Sequence, residues 1–366
     1  MENSNSWSLS KHDTLVLKGL AIIAMLLHHL YCSIPDGIEP YNGVLAWMGK
    51  LGKICVAVFL FCSGYGLSAQ FDKVKGFWNS CRYMAKRFIS FYFNYWIVFI
   101  VFVPITVFLF HRPLSAAYGE NVNLIKRLVY DFFGVQGVMS YNITWWFNKL
   151  LLILYLLFPI VYFCVYKCGV LTLLLSLLVS RFWMPFVGWD YYCGLYVFQL
   201  SFVIGVIWNK WSKEDGILCF GRNCRSEKNG QIMLRKPYVF VLAASVFLIA
   251  GVLFRMYPII PHWTALSMDG FVAAGLAMFI VSLRCLGVPM KLFAFLGKHS
   301  ANIYLIHTFY NVYWPFSWLH NGTAMRSGLN FVVLLLMCLI TSVVLEWAKE
   351  YFEINKTLNH IKNRLS

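Results

Sequence analysis

Long apolar runs alternate with short polar segments along the whole chain. A helix rises about 1.5 Å per residue, so roughly 20 apolar residues cross the hydrocarbon core of a bilayer. We therefore interpret the apolar runs as about ten transmembrane helices. The predicted spans are 15–34, 45–70, 88–110, 145–165, 171–182, 192–208, 238–254, 270–283, 292–314 and 329–347. The expected fold class is an all-α polytopic membrane bundle.

Basic residues in the polar segments predict the orientation of these spans. The segment between spans two and three carries five of them, Lys73, Lys75, Arg82, Lys86 and Arg87. The segment 209–236 carries seven basic residues against three acidic ones. Lys and Arg are enriched in cytoplasmic loops, so both segments are predicted to be cytoplasmic. With ten spans, the N- and C-termini are then cytoplasmic as well.

One domain accounts for most of the chain. Residues 1–347 are predicted to form a single transmembrane domain, in which 209–236 is a cytoplasmic loop. Residues 348–366 alternate charges with Leu and Ile, which predicts a cytoplasmic amphipathic tail along the membrane interface. The first apolar run is longer than the core of a cleaved signal peptide and is expected to remain as the first span. Because no long hydrophilic segment could form a separate catalytic domain, any chemistry is expected to use the membrane bundle.

Composition supports a membrane location and limits the function classes. Hydrophobic residues make up 60% of the 366 positions and charged residues only 13%, whereas about a quarter of a soluble domain is charged. The net charge of +16 does not indicate nucleic acid, because the basic residues lie in short segments between apolar runs; the predicted partner is the lipid bilayer. The eleven cysteines mostly occur singly, so no metal site is predicted. The absence of GxSxG, HExxH and Gly-rich phosphate motifs argues against a soluble hydrolase.

The first span contains three ionisable residues, Lys18, His28 and His29. The eleven steps from Lys18 to His29 amount to roughly three helical turns plus 20° and about 16 Å, so both side chains share one face, whereas His28 points away from it. Ionisable groups at membrane depth usually face a bundle interior or a watery cavity. We therefore predict a polar cavity with Lys18 near one mouth and His29 deeper inside.

Two later spans contain polar groups that can complete such a cavity. Ser63 and Tyr65 lie in the stretch Phe61-Cys62-Ser63-Gly64-Tyr65-Gly66 of the second span, which by itself is typical of a close helix crossing. Ser300, Tyr304 and His307 follow one another at four- and three-residue spacings in the ninth span, so they share a helix face. These five residues are candidates for the wall of the cavity.

In this order, the motifs resemble the acyltransferase 3 family of membrane-bound acyl-group transferases. Lys18-Gly19 with His29 matches the family's opening pattern, in which Arg is more common than Lys. The Ser-Gly-Tyr stretch resembles the family's second helix, and 297–307 resembles its late Gly, basic, Ser, Tyr-Leu, His segment. The basic segment 82–92 resembles the entry to the family's third helix, although Ser90 and Phe91 stand where many members have Pro.

The resemblance implies an O-acyltransferase of the bacterial inner membrane. The implied donor is acyl-CoA, most often acetyl-CoA, used as a co-substrate without a tightly bound cofactor, and the implied acceptor is a surface carbohydrate or lipid-linked glycan. His29 is the candidate catalytic residue, either as general base for the acceptor hydroxyl or as transient acceptor of the acyl group. Lys18 and Arg87 are candidates for binding the anionic end of the donor.

Two other functions are compatible with the same cavity. A transporter would move a sugar or acyl group without making a bond, but no paired inverted halves are visible in the sequence. An acyl-passing protein would need a separate transferase as its partner. The sequence does not distinguish the base mechanism from the acyl-histidine mechanism and does not predict the oligomeric state.

Overall fold

The computed structural model describes residues 7–32, 43–182, 194–213, 225–228, 231–234, 237–257, 262–313 and 324–364. Helices α1 to α8 are Lys11–Tyr31, Gly43–Gly52, Cys55–Phe71, Phe77–Phe108, Leu114–Tyr118, Leu124–Phe132, Trp146–Phe182 and Leu195–Trp211. Helices α9 to α15 are Pro237–Met256, His262–Ser267, Asp269–Cys285, Lys291–Lys298, Ser300–Thr308, Ala324–Tyr351 and Ile354–Arg364. Short 3-10 turns at Gly137–Met139 and Ile143–Trp145 precede α7, and a π-helical turn at Phe309–Tyr313 follows α13.

The predicted all-α membrane bundle is confirmed. Within the described ranges, seven helical segments are long and apolar enough to cross a membrane. The number of ten spans and the cytoplasmic location of both termini stay predictions. The predicted loop 209–236 is described only at its start and in a short antiparallel hairpin, in which β1 (Arg225–Lys228) pairs with β2 (Gln231–Leu234).

Several boundaries differ from the predicted ones. Predicted spans four and five belong to one helical segment, α7, which bends at Cys168, where the backbone is non-helical (φ −138°, ψ 57°). Helix α4 begins at Phe77 instead of 88, because the basic residues of this segment are good helix formers and no stop signal separates them from the apolar run. The second predicted span is interrupted between α2 and α3, and the ninth is divided at His299.

Helix α1 is the centre of the bundle. Its N-terminus is fixed by a capping box, in which the Ser10 hydroxyl accepts from the Asp13 N–H and the Asp13 carboxylate accepts from the Ser10 N–H. The same carboxylate pairs with Arg284 at the end of α11. Along its length α1 buries a stripe of apolar side chains, among them Leu17 and Ile22. The orientation of α1, and with it the predicted active-site histidine, is therefore held at several points.

Glycines allow two close helix crossings. A Cβ at Gly19 of α1 would lie 2.0 Å from the carbonyl oxygen of Phe293 in α12, and a Cβ at Gly297 would lie 1.8 Å from that of Leu15. A Cβ at Gly64 of α3 would likewise lie 2.2 Å from a carbonyl oxygen of α8. Backbones approach this closely only where the side chain is absent. The glycines in the first, second and last motifs therefore have a packing role.

Candidate active site

A cavity of about 450 Å³ lies among α1, α3, α4, α7, α13, α14 and α15. Five residues that the sequence predicts for donor binding or for the cavity wall line it: Lys18, Ser63, Arg87, Ser300 and Tyr304. These five residues come from α1, α3, α4 and α13, which are far apart in the chain. The fold therefore brings them together around one space.

The two predicted histidines, His29 and His307, were expected in the cavity, but neither is among its described lining residues. The ring of His29 packs against the ring of His307 with centroids 4.9 Å apart. Tyr304, which lines the cavity, has its ring centroid 6.5 Å from that of His307. His28 also contacts His29, but its Nδ1–H donates to the carbonyl oxygen of Gly49 in α2 over 2.8 Å. His28 thus fixes α2 against α1, while His29 and His307 form a pair behind Tyr304.

The imidazole of His29 is half-buried, and no residue in the described ranges hydrogen-bonds to it. Its backbone carbonyl oxygen does have a partner, because the side-chain amide of Asn311 donates to it over 2.8 Å. The position of the residue is therefore fixed through the main chain. A neutral imidazole with an available nitrogen can accept a proton from a substrate hydroxyl.

The buried imidazole of His307 is held in one tautomer. Its Nδ1 lies 2.8 Å from the carbonyl oxygen of Tyr304, and a carbonyl oxygen can only accept, so Nδ1 carries the proton. Nε2 then accepts from the hydroxyl of Thr308 over 3.3 Å. That hydroxyl lies 3.1 Å from the hydroxyl of Thr144, next to the start of α7. A chain of polar groups therefore connects His307 with α7.

Tyr65 occupies a different place from Ser63. Two residues correspond to about 200° around a helix, so the two side chains point in nearly opposite directions. The Tyr65 hydroxyl is buried against the N-terminal segment, where it accepts from the Leu9 N–H and donates to the Leu9 carbonyl oxygen, each over 2.9 Å. Ser63 lines the cavity, with its hydroxyl donating to the carbonyl oxygen of Phe59. Of the two predicted residues of the second span, only Ser63 faces the cavity.

Positive charge dominates the cavity. Three cations, Lys18, Arg87 and Lys349, and one carboxylate, Glu346, are among its described lining residues. Lys349 is buried and donates to Glu346 over 2.7 Å, so the charges of these two residues neutralise each other. Arg87 donates to the neutral side chains of Gln70 and Tyr83. Its charge and that of Lys18 are therefore available to an anionic ligand.

Glu346 and Lys349 line the cavity although neither was predicted from the sequence. The tenth span was predicted to end at 347, so Lys349 was assigned to the polar tail. Within the structure the ammonium group of Lys349 also donates to Asn94 over 2.5 Å and to Asn302 over 3.1 Å. The signal was present, since an acidic and a basic residue three positions apart lie on one helix face.

Comparison with known proteins gives one finding that decides the class. A family model described as an acyltransferase domain matches residues 15–347, nearly the whole chain. The chain belongs to the acyltransferase 3 family. The resemblance predicted from the motifs is confirmed, and the protein is a multi-pass membrane acyltransferase. No curated protein and no solved structure matches the chain.

Two buried aspartates of this acyltransferase, Asp269 and Asp131, have partners away from the cavity. Asp269 pairs with Arg255 over 3.1 Å, and both side chains are buried. Asp131 accepts from the Tyr118 hydroxyl over 2.8 Å and from the Tyr141 N–H, and its burial raises its pKa to about 6. Neither carboxylate lines the cavity, while Asp190 lies outside the described residues. Neither carboxylate is therefore a candidate base for acyl transfer, and His29 stays the predicted one.

The described residues contain no group of three or more His, Cys, Asp or Glu side chains that could hold a metal ion. The cavity offers cations, hydroxyls and aromatic rings, which suit an anionic organic ligand.

Proposed function

We propose that this acyltransferase transfers an acetyl group from acetyl-CoA to a hydroxyl of a surface carbohydrate or lipid-linked glycan. The observation that carries the proposal is the half-buried His29 imidazole, which has no hydrogen bond within the described residues and packs against the ring of His307. The ring of His307 in turn lies 6.5 Å from that of Tyr304, a residue in the wall of the cavity that Lys18 and Arg87 also line. One end of the site thus offers a base, and the other offers charges for a phosphorylated donor. The protein is proposed to act in a bacterial inner membrane, with ten spans and both termini in the cytoplasm.

The donor is proposed to enter the cavity from the side of Lys18 and Arg87. Both cations can bind phosphate groups of coenzyme A. The distance of about 16 Å along α1 from Lys18 to His29 suits an extended pantetheine arm. The thioester carbon would then lie near the histidine pair, with Ser63, Ser300 and Tyr304 along the arm.

The chemistry needs one proton acceptor. In the base route, His29 takes the proton of the acceptor hydroxyl as its oxygen attacks the thioester carbonyl; the C–S bond then breaks, and the thiolate of coenzyme A takes up a proton. In the acyl-histidine route, a nitrogen of His29 attacks the thioester carbonyl, the C–S bond breaks, and coenzyme A leaves as the thiol after taking up a proton. The acceptor hydroxyl then attacks the acyl-histidine, the C–N bond breaks, and the hydroxyl proton is taken up by the released imidazole. His307, with its proton fixed on Nδ1, orients the ring of His29 in both routes.

The proposal is tested by mass spectrometry of surface glycans in a deletion strain. The strain is complemented with wild type, His29→Ala or His12→Ala at matched membrane abundance; His12 is exposed at the start of α1 and serves as the control. We expect acetyl groups to be lost with His29→Ala and restored by the other two proteins. Full acetylation with His29→Ala would exclude the mechanism, and unchanged glycans in the deletion strain itself would exclude a carbohydrate acceptor.

A second assay separates the two routes. Purified protein is incubated with radiolabelled acetyl-CoA and no acceptor, and label on the protein is measured after rapid quenching. Label that depends on His29 supports the acyl-histidine route, which an acyl-passing protein would also use. Absence of label, together with transfer when acceptor is added, supports general-base catalysis.

A further inference from the structure

The C-terminal helix α15 forms part of the cavity wall. Ile354, Asn355 and Leu358 line the cavity, although the sequence predicts a tail lying along the membrane interface. A turn separates α14 from α15 at Glu353, whose backbone adopts a left-handed conformation (φ 54°), and α15 then packs against α4. A non-glycine residue in this conformation carries a cost that the surrounding contacts must offset. The helix is thus docked on the bundle at the cavity.

One face of α15 makes this contact. Ile354, Leu358 and Ile361 are half-buried and follow one another at four- and three-residue spacings, whereas the residues between them are exposed. Lys362 comes four positions after Leu358, so it lies on the same face, and it is also half-buried. The remaining basic residues of α15, Lys356 and Arg364, are exposed. Lys362 is therefore the one cation that α15 turns toward α4.

Lys362 lies one helical turn beyond Leu358 of the cavity wall and is not itself among the described lining residues; Arg87 is one of several residues of α4 that line the cavity. Burial and the charge of Arg87 together lower the pKa of Lys362 below its ordinary value. Helix α15 has no acidic residue, and no carboxylate within the described residues pairs with Lys362 or Arg87. Two like charges that are held together without a counter-ion repel each other, and a ligand with several negative charges removes this cost.

We propose that α15 is a wall of the acyl-donor site and that Lys362 binds a phosphate group of the donor together with Arg87. The proposal rests on the proposed function, because it takes coenzyme A thioester as the donor. Lys362 is then a donor-binding residue in a segment that the sequence predicts to be a peripheral tail.

Direct binding of coenzyme A tests the proposal without knowledge of the acceptor. The full-length protein is placed in phosphatidylcholine nanodiscs, and the Kd for coenzyme A is measured by isothermal titration calorimetry. We compare wild type with Lys362→Gln, Lys362→Arg and Lys356→Gln. Lys356 is the matched control, because it lies on the same helix and is exposed, with only a surface ion pair to Glu353.

We expect Lys362→Gln to raise the Kd about fivefold to tenfold, which is the effect of one charge-assisted hydrogen bond that is partly screened by water. Lys362→Arg should restore most of the affinity, and Lys356→Gln should bind like wild type. The rise in Kd caused by Lys362→Gln should be smaller with dephospho-coenzyme A than with coenzyme A if Lys362 contacts the 3′-phosphate. The rise should be the same with both ligands if Lys362 contacts the diphosphate. Either pattern supports a phosphate contact.

Three outcomes would overturn the inference. If wild type binds coenzyme A and Lys362→Gln binds it equally well, α15 has no part in the donor site and the proposed function stands. If wild type does not bind coenzyme A, the donor assigned under the proposed function is wrong. If Lys362→Gln differs from wild type only in nanodiscs that contain anionic lipid, the phosphate that Lys362 binds belongs to a lipid headgroup.

Discussion

His29 of α1 and His307 of α13 lie ring against ring, with their centroids 4.9 Å apart. The two residues are fixed in different ways. The Asn311 amide donates to the backbone carbonyl oxygen of His29, whereas the ring of His307 donates its Nδ1–H to the carbonyl oxygen of Tyr304. The pair therefore combines one imidazole without a hydrogen bond in the described part of the chain and one imidazole of defined tautomer. Such an arrangement can hold the first ring in place for proton or acyl transfer.

The first prediction concerns His307. The variant His307→Phe keeps a ring against His29 but removes both nitrogens, so packing is retained while the polar contact is lost. We expect kcat to fall by about tenfold to a hundredfold, with the KM for acetyl-CoA unchanged, in a membrane-vesicle assay with the native acceptor glycan. An increased KM with unchanged kcat would instead make His307 a donor-binding residue.

The second prediction concerns the crossing of α1 and α12. A methyl group at Gly19 would collide with the Phe293 carbonyl oxygen, because the Cβ position is only 2.0 Å from it. We expect Gly19→Ala to destabilise the protein by about 1–3 kcal/mol, the usual cost of overpacking. The apparent Tm in detergent, followed by tryptophan fluorescence, measures this loss.

Gly66→Ala is the matched control for that substitution. Gly66 lies in α3, and nothing is found within 4 Å of a Cβ built there. Because alanine is the better helix former by roughly 0.5–1 kcal/mol, Gly66→Ala should leave the Tm unchanged or raise it. Equal losses in the two variants would show that the close α1–α12 approach is not what makes Gly19 necessary.

Local periodicity predicts part of the site, and tertiary packing decides the rest. Residue spacing predicts that Lys18 faces the cavity and that Tyr304 and His307 lie close together on one helix, because a helix fixes which side chains share a face. The docking of α15 depends on the left-handed backbone at Glu353 and on contacts with α4. No periodic pattern of the tail contains that information, so the sequence predicted a peripheral helix there.

The structure places the side chain of Tyr65 away from the position that was predicted from the family motif. The motif placed Tyr65 beside Ser63, and both were predicted to face the cavity, yet the structure directs the Tyr65 hydroxyl to both backbone groups of Leu9. A match to a motif identifies a residue but does not show what its side chain contacts. The helix geometry would have separated the two side chains, since they differ by about 200°.

The third prediction follows from this position. Tyr65→Phe leaves a buried N–H and a buried carbonyl oxygen of Leu9 without partners, which costs about 1–3 kcal/mol. We expect a lower Tm with unchanged KM values for donor and acceptor. Tyr351→Phe is the control, because Tyr351 is exposed and should change neither property. A raised KM for acetyl-CoA at normal Tm would restore Tyr65 to the substrate site.

The last prediction concerns the pH dependence of stability at Asp131, in α6. Burial raises the pKa of this carboxyl to about 6, above its ordinary value of about 3.9. Between these two values the folded protein keeps the proton that the unfolded chain has lost, so the unfolded state binds fewer protons. Stability must therefore fall as the pH rises from about 4 to about 6, and the penalty remains constant at higher pH.

Asp131→Asn removes this ionisation while keeping an oxygen that can accept from Tyr118 and from the Tyr141 N–H. We expect the difference in Tm between the variant and wild type to increase, in favour of the variant, from pH 4.5 to pH 6.5, values that bracket the shifted pKa of about 6. Above that range the difference should stay constant. If Asp131→Asn is instead less stable than wild type, and most so at neutral pH, the folded protein favours the ionised form of the Asp131 carboxyl. In that case the hydrogen bonds from Tyr118 and Tyr141 outweigh the burial of the charge, because they stabilise the ionised carboxyl.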